Sequence, residues 1–125
     1  MLKKIYTEKA PAAIGPYSQA IVAGDFMFAS GQVPINPATG NVDAEGIVAQ
    51  TEQVMANIGA ILAEVGKDFT DVVKTTCFLY SMDDFAEFNG VYGKYFTEKP
   101  ARSCVAVKTL PKNVLCEVEI IVYLG

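Results

Sequence analysis

The feature of this sequence that most constrains its fold is a strictly alternating segment close to the last residue. Every second residue of this segment is apolar: Val114, Cys116, Val118, Ile120 and Val122. Because successive side chains of a β-strand point to opposite faces of a sheet, the pattern predicts a strand from Val114 to Leu124. One face of this strand is expected to be buried against helices. The other face carries Glu117 and Glu119.

Two other segments have the periodicity of amphipathic helices. From Gly46 to Val65, apolar residues recur at spacings of three, four or seven. A second helix is predicted to begin after Ser81 and to extend to about Phe96, since Ser81 and Asp84 have the spacing of a capping box. The aromatic residues of this second helix fall on one face and are expected in the core: Phe85, Phe88, Tyr92 and Phe96.

Five further segments indicate strands, at residues 4–6, 17–22, 26–32, 72–80 and 102–108. Ala23-Gly24-Asp25 favours a hairpin turn between the second and third strands. Thr109–Lys112 favours another hairpin between the last two strands. The predicted order is β-β-β-α-β-α-β-β, which gives one α/β (α+β) domain over residues 1–125. Strand–helix–strand units cross over with one hand, so we expect both helices on one face of a single mixed sheet.

The face of the sheet that two helices cannot cover also carries apolar side chains. Hydrophobic residues make up 51% of the 125 positions, which is a slightly high share for so small a soluble protein. A second copy of the chain is the simplest cover for this face. The sequence therefore predicts a homo-oligomer.

Composition argues against several functional classes. The net charge is −4 and Lys and Arg form no cluster, so binding to nucleic acid or to an anionic membrane is not expected. No apolar run reaches the roughly 18 residues of a membrane span, and the first residues do not resemble a signal peptide. The three cysteines, Cys77, Cys104 and Cys116, lack Cys-x-x-Cys spacing. They favour a reducing, cytoplasmic location over a disulfide scaffold or zinc ribbon.

Histidine is absent from the chain, which restricts the chemistry further. Ser-His-Asp and Cys-His catalysis and His-ligated metals are excluded. Proton transfer must use Glu, Asp, Tyr, Cys, Lys, a bound water or the substrate itself. Since no nucleotide-binding or metal-binding motif occurs either, we expect neither a cofactor nor a metal.

The predicted last hairpin brings candidate catalytic residues together. In it, Cys104 lies opposite Glu117 and Arg102 opposite Glu119, on the sheet face that the helices do not cover. A guanidinium binds a substrate carboxylate through two parallel hydrogen bonds, and a nearby Glu holds or deprotonates a water. An ordinary cross-strand ion pair explains the same pattern. Cys104 has no evident activating base and is equally explained as a small buried side chain.

Three other positions are weaker candidates. Tyr17 follows Gly15-Pro16 at a strand start, where its hydroxyl either reaches a cleft or simply packs. At the end of another strand, Ser30-Gly31 can expose backbone N–H groups to an anion. Asn89 lies beside the aromatic face of the second helix, where it either contacts a ligand or faces solvent.

Several longer motifs resemble the Rid family, also called YjgF. They are APAAIGPYSQ at residues 10–19, SGQVP at 30–34, PARSCV at 100–105, LPK at 110–112 and EVE at 117–119. The resemblance extends from about Lys4 to Val122 and is closest to the RidA subgroup. It implies a chorismate-mutase-like fold and a homotrimer with clefts between neighbouring subunits.

The resemblance also implies an activity and a set of site residues. The activity is 2-iminobutanoate/2-iminopropanoate deamination, which hydrolyses imino and enamine acids to 2-oxo acids and ammonia without a cofactor. Arg102 would bind the substrate carboxylate and Glu117 would position the attacking water, with Glu119 in a supporting role. The residues that would line the pocket are Tyr17, Ser30, Gly31, Asn89 and Cys104.

Two departures from the family pattern stand out. Ala106 occupies a position where the family often has Glu, and the segment Thr97–Pro100 is shorter than in many members. The short segment is expected to change substrate preference more than activity. The alternatives are a regulatory or ligand-binding trimer without turnover, or an RNA-linked translation inhibitor. A chorismate mutase would need several cations around its dianion, whereas this cleft offers chiefly Arg102.

Overall fold

The helices and strands follow the predicted order in the computed structural model, which describes residues 2–125 and leaves residue 1 of the predicted domain outside. The strands are β1 (Lys3–Ile5), β2 (Ala20–Ala23), β3 (Phe26–Ala29), β4 (Val72–Leu79), β5 (Ala101–Ala106) and β6 (Cys116–Tyr123). The α-helices are α1 (Gly46–Glu64) and α2 (Phe85–Tyr95). Neither helix is long and apolar enough to span a membrane.

Local backbone geometry explains where the elements begin and end. The tight turn between β2 and β3 has Gly24 in the left-handed region, with φ of 60°. Past Ala29 the regular ladder stops, and Gln32 rejoins β6 through both of its backbone groups, which pair with Val118. Ser81 is an N-cap as predicted, because its side chain accepts the Asp83 N–H, but Asp84 does not complete the predicted capping box. The turn that Ser81 caps is a short 3₁₀ helix, and α2 begins only at Phe85.

The six strands form one mixed sheet in the order β1-β2-β3-β6-β4-β5. β6 lies between β3 and β4 and is antiparallel to both, while β5 is an edge strand parallel to β4. The predicted hairpin between β5 and β6 is therefore wrong. The physical reason is that α2 joins β4 to β5 as a crossover, which makes these two strands parallel neighbours. Residues 107–115 then carry the chain past β4 to the centre of the sheet.

This topology also overturns the predicted grouping of Arg102, Cys104, Glu117 and Glu119 on one face. In β5, Arg102 pairs with Thr75 and Cys104 with Cys77 of β4. Thr75 and Cys77 in turn pair with Ile120 and Val118, on the buried face of β6. Arg102 and Cys104 therefore share the face that packs on the helices. Glu117 and Glu119 point to the opposite face.

The core lies between the sheet and the two helices. The alternation of β6 holds as predicted, because Cys116, Val118, Ile120 and Val122 are all buried. They belong to one cluster with Val54 and Ile58 of α1 and Phe88 of α2. Both helices contribute to this cluster and contact each other, which confirms that they share one face of the sheet.

The other face of the sheet keeps large apolar side chains exposed. Exposed fractions are 46% for Phe28, 47% for Val105 and 48% for Tyr123. The Tyr123 ring lies 5.5 Å from that of Phe26, between centroids, so β3 and β6 carry a joined aromatic surface. Such a surface is typical of an interaction site. The homo-oligomer that would cover it stays a prediction.

Candidate functional site

The candidate residues divide between two cavities. The arginine cavity has a volume of about 370 Å³ and is lined by Asn89, Tyr92, Gly93, Phe96, Thr97, Lys99, Pro100 and Arg102. The glutamate cavity has a volume of about 600 Å³ and is lined by Ala12, Ile14, Tyr17, Ser30, Gly31, Val33, Ile35, Pro111, Lys112 and Glu117. Because Arg102 and Glu117 point to opposite faces of the sheet, one chain does not bring them into a common cavity.

Arg102 is held by side chains of α2. Its Nη1 donates a hydrogen bond of 2.6 Å to Oδ1 of Asn89. The guanidinium carbon lies 4.7 Å from the ring centroid of Tyr92 and 5.5 Å from that of Phe85, which are cation–π distances. The Tyr92 hydroxyl is itself hydrogen-bonded to the buried Thr75 hydroxyl at 2.8 Å. The orientation of the guanidinium therefore depends on several packed side chains.

Arg102 is half-buried and lacks an acidic partner. Within residues 2–125, the only ion pair closer than 4.0 Å joins Lys94 to Glu52 on the helices. The cross-strand ion pair considered from the sequence is thus absent. A guanidinium has five N–H donors, and Asn89 is the one side chain that accepts from Arg102. The remaining donors can bind a carboxylate in the two-pronged geometry that this group favours.

Cys104 lies next to Arg102 on the same face of β5. Burial raises the pKa of the Cys104 thiol, although the charge of Arg102 opposes the rise. The thiol is therefore neutral near pH 7, which argues against a nucleophile and favours a small side chain beside the guanidinium. Burial likewise raises the pKa of Cys77 to about 12, in keeping with its predicted core position.

Glu117 is half-buried beside Gly31. Burial raises the pKa of its carboxyl group above the ordinary range, and the nearby charge of Glu119 adds to the rise. Gly31 packs so closely that a Cβ at this position would overlap the Glu117 carboxylate, at 2.8 Å from its Cδ. Neither oxygen of this carboxylate accepts a hydrogen bond from the described residues, so both can hold a water or a ligand.

Tyr17 and Ser30 form the wall of the glutamate cavity. The Ser30 hydroxyl donates to the Ser18 carbonyl at 2.7 Å, and the Ser30 N–H donates to the Gln19 carbonyl. Ser30 therefore ties the loop before β2 to the end of β3, while its oxygen can still accept a hydrogen bond. The Tyr17 side chain is 55% exposed, so its hydroxyl is open to a ligand.

Sequence reasoning missed some of the residues that build these cavities. Lys99 and Lys112 line one cavity each, and both have left-handed backbone, with φ of 54° and 55°. Phe85 and Tyr92 were predicted only as core, yet they also hold Arg102. The signal in the sequence was their position on the same helix face as Asn89. No cluster of His, Cys, Asp or Glu within residues 2–125 is arranged to hold a metal ion.

Comparisons with known proteins agree with this architecture. The family model described as Endoribonuclease L-PSP matches residues 7–124. A RutC family protein of Pyrococcus horikoshii is 53% identical over 124 residues, covering 98% of both chains. The 2-iminobutanoate/2-iminopropanoate deaminase of Escherichia coli is 48% identical over 125 residues and covers 97% of both. The crystal structure of Escherichia coli TdcF with bound serine has a TM-score of 0.92 at 40% identity, covering 98% of this chain and 99% of that one.

Proposed function

Because the chain belongs to the Endoribonuclease L-PSP family, which is the Rid or YjgF family, we propose that it is an imine deaminase. Its substrates would be reactive 2-imino and enamine acids such as 2-iminobutanoate and 2-iminopropanoate. Its products would be 2-oxo acids and ammonia. The observation that carries the proposal is Arg102, a half-buried guanidinium without an acidic partner that α2 holds beside an open cavity. A substrate carboxylate would supply the anionic partner that the protein itself does not give this guanidinium.

The complete site would lie between copies of the chain in a homotrimer. Arg102 and Glu117 face away from each other within one subunit, so the reaction needs the arginine cavity of one copy against the glutamate cavity of its neighbour. The exposed aromatic surface of β3 and β6 supports such an assembly, because its burial would add hydrophobic stabilisation. β5 is an edge strand, which makes Arg102 accessible to a neighbour.

In the proposed reaction, Arg102 binds the substrate carboxylate and orients the imine. Glu117 holds a water and accepts one of its protons while the water oxygen attacks the carbon of the imine, whose nitrogen is protonated. The resulting carbinolamine takes that proton from Glu117 on its nitrogen. It then collapses: the hydroxyl proton passes back to Glu117, the carbon–oxygen double bond forms, the carbon–nitrogen bond breaks and ammonia leaves. The raised pKa of Glu117 makes its carboxylate a stronger base than a solvated Glu. The rest of the catalysis is orientation and charge stabilisation.

A coupled assay tests this function. Threonine dehydratase and threonine generate 2-iminobutanoate, and semicarbazide traps whatever imine remains. We expect the protein to suppress semicarbazone formation and Arg102→Ala to lose this effect while keeping its fold by circular dichroism. Lys94→Ala serves as the matched control and should keep wild-type activity, because Lys94 is an exposed lysine of α2 that pairs with Glu52 and does not line the arginine cavity. A fully active Arg102→Ala variant would exclude the carboxylate role.

A ligand-binding trimer without turnover is the second candidate. The crystal structure of the relative TdcF contains bound serine, an amino acid that is not itself an imine. Calorimetry with serine, set beside the coupled assay, distinguishes the two, since a pure binding protein binds serine and leaves semicarbazone formation unchanged. The RNA-linked alternative fits less well because the net charge is −4 and the chain has no histidine.

We also propose that the protein acts in the cytoplasm. Cys77, Cys104 and Cys116 are all free thiols, which a reducing compartment maintains.

A further inference from the structure

The arginine cavity contains a second cation that the proposed reaction does not use. Lys99 lines this cavity together with Arg102, and no Asp or Glu lines it. The chain as a whole is acidic, with 14 acidic and 10 basic residues. A cavity lined by two cations without an acidic partner therefore differs in charge from the rest of the chain. A ligand with a single carboxylate would pair with only one of these two cations, of which Arg102 is half-buried and Lys99 exposed.

The remaining polar groups of the cavity are also mostly donors. The Asn89 oxygen is already occupied by Arg102, which leaves the Asn89 amide N–H₂ for a ligand. Thr97 contributes a hydroxyl. Apolar surface comes from Tyr92, Phe96 and Pro100, which suits a short carbon chain between polar ends. The cavity therefore fits a small molecule with anionic groups at more than one position.

Lys99 combines an uncommon backbone conformation with a position in the lining of this cavity. Lys99 has φ of 54°, in the left-handed region that favours glycine, and it precedes Pro100, which disfavours helical conformations at the preceding residue. Its N–H closes a turn onto the Phe96 carbonyl at 3.2 Å. Backbone conformations of this kind are enriched at ligand sites. The short Thr97–Pro100 segment is thus the part of the chain that brings Lys99 to the cavity.

We propose that the arginine cavity selects 2-imino acids that carry a second carboxylate on their side chain. Arg102 binds the carboxylate next to the imine, and Lys99 binds the distal one. The inference rests on the proposed deaminase function for its reaction, and it adds the substrate class. 2-Iminoglutarate and 2-iminosuccinate are the simplest acids of this kind.

The test compares an acidic with a neutral imino acid. L-glutamate oxidase with glutamate and catalase generates 2-iminoglutarate, and threonine dehydratase with threonine generates 2-iminobutanoate, each with semicarbazide as the trap. In Lys99→Met, we expect kcat/KM for 2-iminoglutarate to fall about fivefold relative to that for 2-iminobutanoate, as for loss of a partly exposed ion pair. Lys99→Arg should keep the wild-type ratio. Lys3→Met is the matched control, because Lys3 is an exposed lysine on the opposite edge strand.

A binding measurement separates the failure of this inference from the failure of the proposed function. Calorimetry compares binding of the two reaction products, 2-oxoglutarate and 2-oxobutanoate, and Lys99→Met is expected to weaken only the binding of 2-oxoglutarate. A Lys99→Met protein with an unchanged ratio, or a Lys3→Met protein with the same loss, would overturn the role of Lys99. Absence of turnover with every imino acid would overturn the deaminase, while selective loss of 2-oxoglutarate binding would still support the second carboxylate.

Discussion

The arginine cavity and the glutamate cavity are built from different kinds of structure. Arg102 lies on β5 and is held by α2, so its position depends on regular elements and on aromatic side chains that also belong to the core. The glutamate cavity is lined largely by loop residues, among which Ile14 is 88% and Tyr17 55% exposed. The comparison suggests a division of labour. In the proposed reaction, the arginine cavity (the rigid half) fixes one charge of the substrate. The glutamate cavity (the loop half) would hold the water and would be enclosed by a neighbouring copy.

The strongest test of this division asks whether the two halves belong to different copies. Arg102→Ala and Glu117→Gln should each lower turnover of 2-iminobutanoate by about 100-fold or more, since each removes a group that the proposed reaction requires. If a site takes Arg102 from one copy and Glu117 from the next, mixed oligomers of the two inactive variants contain some intact sites. We expect co-refolded or co-expressed mixtures to recover about a quarter of wild-type activity, as random assembly at shared interfaces predicts.

Light scattering on the same samples serves as the control for assembly. The mixture, the two variants and the wild type should have the same mass. A mixture that stays inactive at that mass would place Arg102 and Glu117 in one copy, or would show that they act in separate sites. Either result would contradict a site that takes Arg102 from one copy and Glu117 from the next.

A smaller loss of activity is expected from a substitution at Gly31, which packs against Glu117 in the glutamate cavity. In Gly31→Ala the new methyl group overlaps the Glu117 carboxylate, which must move. We expect kcat to fall about tenfold to 100-fold with KM nearly unchanged, because misplacing a catalytic group affects the chemical step. The measurement is the coupled assay at several threonine dehydratase fluxes.

Gly90→Ala is the matched control for that substitution. Gly90 lies within α2, and a Cβ there meets no atom within 4 Å. This variant should keep full activity and gain about 0.5–1 kcal/mol in free energy of unfolding, as expected when Ala replaces Gly inside a helix. An equal loss of kcat in both variants would point to a general disturbance rather than to Glu117.

At the rigid half, Tyr92 allows the positioning of Arg102 to be measured. Tyr92→Leu removes the ring under the guanidinium, and we expect KM to rise about fivefold while kcat changes little. Tyr92→Phe keeps the ring and loses the hydrogen bond to Thr75. This control should keep its KM and lose about 1 kcal/mol of stability, measured by urea unfolding. If both variants show the same KM, the ring acts only as core.

Burial determined how much of this could be predicted from the sequence. β6 was predicted well because it is central, with one face fully buried, so its alternation reports its orientation directly. β5 is an edge strand whose six residues are all exposed or half-buried, so its pattern does not reveal which face points to the helices. The β5–β6 hairpin was inferred from proximity in sequence. The crossover through α2 overrides that proximity, since it pairs β5 with β4 instead.

The candidate site shows the same limit. Arg102 and Glu117 were identified by residue type and motif, but their placement on opposite faces depends on long-range strand pairing that local pattern does not contain. Tyr92 was hidden for another reason. An aromatic residue at helical spacing indicates a core position, and only 8% of the Tyr92 surface is indeed exposed. The same ring also packs against the Arg102 guanidinium, which the spacing does not reveal.

The smallest effect concerns the electrostatics of the loop half. Glu117 must be ionised to accept a proton, so kcat should rise with pH through the raised pKa of its carboxyl group. The charge of Glu119 contributes to that rise, and Glu119→Gln should therefore shift the acidic limb of the kcat profile to lower pH. Glu64→Gln, at the end of α1, should leave the limb in place. An unshifted limb in Glu119→Gln would mean that burial alone sets the pKa of Glu117.

The same raised pKa has a consequence for stability. A carboxyl group whose pKa is higher in the folded than in the unfolded chain favours folding when protonated, and this contribution is lost as pH rises through the unfolded and then the folded pKa. Glu117→Gln should therefore increase the unfolding temperature near pH 7 and have little effect near pH 4. In contrast, Arg102→Ala should not stabilise the protein at either pH, because the guanidinium contacts Asn89 and Tyr92. Opposite effects of the two substitutions on the unfolding temperature would show that Glu117, and not Arg102, lowers the stability of the folded protein near pH 7.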